Sequence, residues 1–162
     1  MRKSSWVILA VMCILAAALV YLRIAGRPQP SDEDQIHALL AKGASAIEHK
    51  EVRSALSCIS RDYSDSAGLN FEKLRFHVIE AFRVEEQYDV LLENTSIRLQ
   101  GDAAFVEAQA SVALVFGTKS DMIFSNPISI SLREERTKRW LIIPTTSWKI
   151  TSIDGIPGEL TE

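Results

Sequence analysis

The sequence predicts an α+β domain carried behind an N-terminal membrane-spanning helix, on three observations. An apolar run that opens at Trp6 and closes at Leu22 holds 17 residues without a charge, which reaches across most of a bilayer core of roughly 30 Å. Between residues 32 and 84 the apolar side chains recur at the spacing of one helix face. From residue 87 onward they alternate with polar ones, the period of a strand with one wetted face. Helices first and strands afterwards form separate layers. Neither layer hides its apolar side alone, so three helices are expected to pack on one face of a curved antiparallel sheet.

Residues 1–27 read as an uncleaved anchor. Arg2 and Lys3 precede the run, and Arg23 and Arg27 follow it. A cleaved secretory signal is the competing reading, since the alanines at 16–18 offer a peptidase site. The run is longer than the roughly 7–15 apolar residues of a signal core, which favours the signal-anchor. Met12 stands where a lipoprotein signal has a small residue, so Cys13 is not read as a lipidation site. The basic N-terminus places that end in the cytoplasm and the domain outside it, in the periplasm if the cell is bacterial.

Beyond residue 27 the chain has 135 residues, enough for one compact domain and too few for two. This part carries 14 basic and 21 acidic residues, a formal charge of −7. Such a balance argues against nucleic acid or anionic lipid as a partner of the domain. Cys13 and Cys58 form no disulfide framework, and there is no CxxC. No HExxH, GxSxG or glycine-rich phosphate loop occurs, so no metal and no cofactor is expected.

Residues 28–31 form the linker, where Pro28 and Pro30 stop the membrane helix from running on. Ser31 then fits an N-cap, with acids in the first turn. The first helix is expected to reach about Lys50 on a stripe of Ile36, Leu39, Leu40, Gly43 and Ile47. A short second helix covers about residues 51–60. Residues 61–68 are a loop by composition. Asn70 caps a third helix, expected to run to about Val84.

The first strand covers about residues 88–99, and Gly101 with Asp102 makes a tight reversal. The second strand, residues 103–116, has the plainest pattern. Ala104, Val106, Ala108, Ala110, Val112, Leu114 and Phe116 share one side; Glu107, Gln109 and Ser111 share the other. Residues 117–127 read as a looser segment before a third strand at Ile128, Ile130 and Leu132. Residues 136–139 read as a basic hairpin turn, and residues 140–153 as a last strand interrupted near Pro144.

In this order of elements the chain resembles NTF2-like domains (SnoaL-like, cystatin-like fold). The resemblance spans about residues 32–153. It rests on the helix order, the loop SRDYSDSAGLN (60–70), the hairpin QGDAAFVEAQASV and the closing SWKITSI (147–153). It implies a cone with a cavity between helices and sheet. The family holds lyases, isomerases, ligand binders and structural members, so the fold does not choose among them. Isomerase-like members carry a base in the loop after the second helix, where Asp65 is the nearest match. No proline follows Asp65, unlike the Asp-Pro common there, and no matching tyrosine is placed on the first helix.

Asp65 as general base, with His77 on the third helix, is the one enzyme-like pair the sequence offers. The bland reading of Asp65 is a turn residue bonded to its own backbone; Asp62 invites the same reading. His77 reads as a boundary histidine, and His37 and His49 as solvated. Tyr63 and Trp148 are the candidate ligand-binding residues, each with a core reading beside it. The outward sheet face, with Glu107, Gln109, Ser111, Ser129, Ser131, Lys149 and Thr151, lacks an apolar centre, so a monomer or weak dimer is expected. The sequence thus leads to a membrane-anchored, extracytoplasmic, non-enzymatic domain that binds a small apolar ligand or an envelope protein. The competing expectation is a SnoaL-like lyase or isomerase using Asp65.

Overall fold

A computed structural model describes residues 30–139 and 143–156. Contacts divide the chain into two units, Met1–Ser31 and Asp32–Glu162. The apolar run at 6–22 lies outside the described residues, within which no helix is long and apolar enough to cross a membrane.

Helix α1, Asp32–Glu48, opens on three acids that suit the positive end of its dipole and buries Ile36, Leu40 and Ala46. Helix α2, Val52–Ser57, is shorter than its stripe suggested. Lys50 at φ +53 turns the chain between them. Helix α3, Phe71–Ala81, starts at the Asn70 cap, whose side chain accepts from the Lys73 N–H at 3.0 Å. It stops short of Val84, with Phe82 as its C-cap and the Phe82 N–H donating to Val78 O at 3.1 Å.

The sheet is antiparallel and runs in sequence order, from β1 (Gln87–Gln100) through β2 (Ala103–Phe116) and β3 (Lys119–Arg139) to β4 (Ile143–Asp154). Gly101 at φ +63 makes the two-residue turn between Gln100 and its partner Ala103. On β2 the alternation holds from Ala104 to Ala110; beyond it Val112 and Leu114 are half-buried, Ala113 is buried, and Phe116 at the hairpin is 47% exposed.

Three boundaries differ from the sequence reading. Residues 119–127 are strand and pair with β2 along its length. The apparent breaker Pro127 stands opposite Gln109 of β2, where pairing of β3 with β4 has not yet begun, so only one flank of β3 is laddered there. Residues 136–139 are likewise strand, paired from Arg136 opposite Thr146 to Arg139 opposite Ile143, not a turn. Strand β4 is continuous past Pro144, which sits near the start of an edge strand where a missing N–H does little harm.

The core joins Ile36 and Leu40 of α1, Cys58, Tyr63 and Phe71 to the inner face of β2, β3 and β4. The segment after α2 straps the β4 edge. The Ile150 N–H donates to Cys58 O at 2.9 Å, the Ser60 N–H to Ile150 O at 2.8 Å, and the Ser64 N–H to Thr151 O at 3.0 Å. One edge of the sheet is thereby partly covered.

Candidate functional site

The loop between α2 and α3 holds the residues the sequence singles out, and its geometry follows from two carboxylates. Asp65 closes the loop upon itself. Its Oδ1 accepts from the Leu69 N–H at 2.9 Å, its own N–H donates to Leu69 O at 3.2 Å, and Ser64 bridges to Asn70. Its Oδ2 accepts from the Tyr63 hydroxyl at 2.9 Å. Asp154, at the end of β4, holds the loop from outside. It accepts from the Ser66 N–H at 3.1 Å and from the Ser152 hydroxyl at 3.4 Å. The bonds from Ser66 hold the Asp154 carboxyl below the usual carboxylate range.

Tyr63 is 3% exposed and part of the core. Burial first, and the neighbouring Asp65 second, push its phenol well above the ordinary tyrosine value, so it stays protonated and donating. Trp148 is also core, 4% exposed, and its indole N–H donates to Asp32 Oδ1 at 3.4 Å, tying β4 to the start of α1. Both proposed ligand residues therefore fill the space between helices and sheet.

Asp65 and His77 share no hydrogen bond among the described residues. The His77 ring lies edge-on to Phe76, with centroids 5.9 Å apart, and Phe76 is itself 60% exposed. Asp62 is exposed, and its N–H donates to the Ser60 hydroxyl at 3.0 Å. His37 and His49 are exposed on α1 and just past its end.

Two features had no signal in the sequence. Ser60 is 1% exposed, and its hydroxyl donates to Glu135 Oε1 at 2.5 Å across 75 positions of chain. A depression of about 510 Å³ opens on the outer face of the sheet, where β1 bulges at Asn94 (φ +51) between Glu93 and Ser96. Both depend on strand register, which a single sequence shows only weakly.

By sequence, the chain matches no family model and no curated protein. Solved structures are similar in fold. Aln2 from a Streptomyces species superposes with a TM-score of 0.62 at 10% identity, over 78% of this chain and 91% of its own. A putative aromatic ring hydroxylase from Novosphingobium aromaticivorans gives 0.59 at 19%, over 77% and 89%. An NTF2-like protein with a cystatin-like fold from the same organism gives 0.57 at 13%, over 86% and 84%. These likenesses show an NTF2-like, cystatin-like fold for the domain and leave the chemistry to its own residues.

Proposed function

We propose that the chain is a non-enzymatic binding domain, held outside the cytoplasm on its N-terminal apolar run and taking an envelope protein, or a small apolar ligand, as its partner. The observation that carries this reading is the state of Asp65. A general base has to be oriented toward a substrate rather than toward its own loop. Here both oxygens carry structural bonds, one from the Leu69 N–H and one from the Tyr63 hydroxyl, which orient the carboxylate as the clasp of its loop. Tyr63 and Trp148 are packed as core, which favours a protein partner over a ligand held deep between helices and sheet. The competing reading, a SnoaL-like lyase or isomerase with Asp65 as base and Tyr63 or His77 assisting, is favoured by the fold it shares with such enzymes and opposed by this geometry.

The test is Asp65→Asn in the full chain, produced in its own host. Asparagine keeps the size and can still accept from the Leu69 N–H. A binding domain retains its co-purifying partner or ligand with this variant, after allowance for any loss of stability. A catalytic Asp65 instead shows itself as a chain-dependent small-molecule conversion in host membranes that the variant abolishes.

A further inference from the structure

The outer face of the sheet contains more than a wetted layer. Register sets Ser96, Glu107, Ser129 and Asp154 in one row across all four strands. Gln109 stands in the next row, and the β1 bulge adds Asn94. These six side chains line the depression of about 510 Å³, and its lining includes no lysine or arginine. The lining thus offers carboxylates, hydroxyls and amides, an acceptor-rich surface that Arg98 touches from outside through Glu107.

The two acids keep capacity to spare. Glu107 meets Arg98 at 3.6 Å, with side chains 69% and 74% exposed, a pair that water screens and an incoming cation can displace. Asp154 accepts from the N–H and the side chain of Ser66 and from the Ser152 hydroxyl, whereas a carboxylate accepts about four bonds.

The same face carries apolar side chains that the domain leaves uncovered. Leu91, opposite Ser111, is 52% exposed, and Met122, opposite Ala113, is 60% exposed. They lie toward the β2–β3 hairpin, beyond the row of Gln109. Exposed apolar groups beside a polar depression are a common mark of a protein-binding surface. The charge of −7 over residues 28–162 draws a cationic segment toward the domain as a whole.

We propose that this groove receives a lysine or arginine side chain from an extended segment of a partner protein, whose flanking apolar residues lie on Leu91 and Met122. The proposal rests on the binding-domain reading and adds the chemistry of its partner. The cation sits in the row of Ser96, Glu107, Ser129 and Asp154, displaces Arg98 from Glu107, and donates to hydroxyl and amide oxygens around it. The open shape suits a side chain entering with its backbone outside.

The test uses the full chain in detergent micelles and fluorescently labelled nonapeptides of serine, alanine and leucine. Their central residue is lysine, arginine, norleucine or glutamate. The lysine and arginine peptides are expected to bind, with the norleucine and glutamate peptides at least about tenfold weaker, the difference of one charge-assisted contact. Gln109→Lys, which puts a cation in the groove at a half-buried strand position, is expected to weaken the lysine peptide about tenfold at unchanged melting temperature. Glu107→Gln shifts it the same way by less, since Arg98 is released.

Equal binding of the norleucine peptide, an unchanged Kd in Gln109→Lys, or no binding by any peptide overturns the proposal. Spermidine that binds while the peptides do not assigns the groove to free amines and overturns it too. If the wild-type chain captures a membrane partner and Gln109→Lys captures it equally well, the groove assignment fails while the broader reading stands. If the lysine peptide binds at the groove and no partner is found in host membranes, the groove chemistry stands and the broader reading fails.

Discussion

Replacing Tyr63 by phenylalanine separates a loop clasp from a ligand-binding tyrosine. The ring is 3% exposed and stays packed in the variant, so only the hydroxyl is lost. That hydroxyl donates to Asp65 Oδ2 at 2.9 Å. A hydrogen bond to a charged group contributes about 1.5–3 kcal/mol. Asp65 is half-exposed, and water takes over part of the vacated bond, so the lower end applies, about 1.5–2 kcal/mol. For a domain of this size each kcal/mol moves the melting temperature by about 3–5 °C, so differential scanning calorimetry should record a fall of roughly 5–10 °C.

The pH dependence gives a second readout from the same variant. The folded phenol is raised above its ordinary value, so its contribution is complete below about pH 10 and declines as pH rises beyond that. The wild type therefore loses stability progressively above about pH 10, and Tyr63→Phe shows a flatter alkaline limb, the remainder coming in part from Tyr88, which burial also raises. An unchanged melting temperature with an unchanged alkaline limb would refute the clasp. It would return Tyr63 to the role of a hydroxyl held ready for a ligand.

Other substitutions test neighbouring parts of the account. Trp148→Ala should destabilise the domain by about 3–5 kcal/mol in urea denaturation, as expected of a core ring rather than a ligand contact. Gly155→Ala should cost about 2–3 kcal/mol, because the residue sits at φ +99 and a Cβ would lie 2.5 Å from Pro127 O; a silent substitution would show that the end of β4 lies elsewhere. Asp154 has its carboxyl lowered by Ser66, so its contribution is present above about pH 4 and lost as pH falls through the lowered value; acid titration of Asp154→Asn should therefore show a shallower loss of stability than the wild type.

The parts of the fold legible in the sequence are those in which one period runs unbroken. The α1 stripe at Ile36 and Leu40, the Asn70 cap and the alternation from Ala104 to Ala110 each express a local rule, and each is found where the rule puts it. The start of β3 was hidden because Gly117, Ser120, Asp121 and Pro127 all read as punctuation. What overrides them is the length of β2, which offers a partner to every one of these residues from Lys119 onward. Residues 136–139 are polar on both faces and read as a turn, yet ladder pairing to β4 holds them extended.

The site was legible only by position. The sequence pointed to the loop with Tyr63 and Asp65, and the turn reading of Asp65 matches its bond to Leu69. It gave no means of seeing Tyr63 as the second partner, because that depends on the phenol being drawn into the core. Asp154, Ser60 with Glu135, and the outer groove join residues from distant strands, and only register brings them together.

The central claim, a binding domain that keeps its N-terminal run and holds a partner, is tested most directly by native mass spectrometry of the full chain extracted from its own host's membranes. The account predicts a mass that retains residues 1–27 together with a bound protein or small molecule, and the same complex from Asp65→Asn. A bare mass lacking those residues, recovered from the soluble fraction, would contradict it.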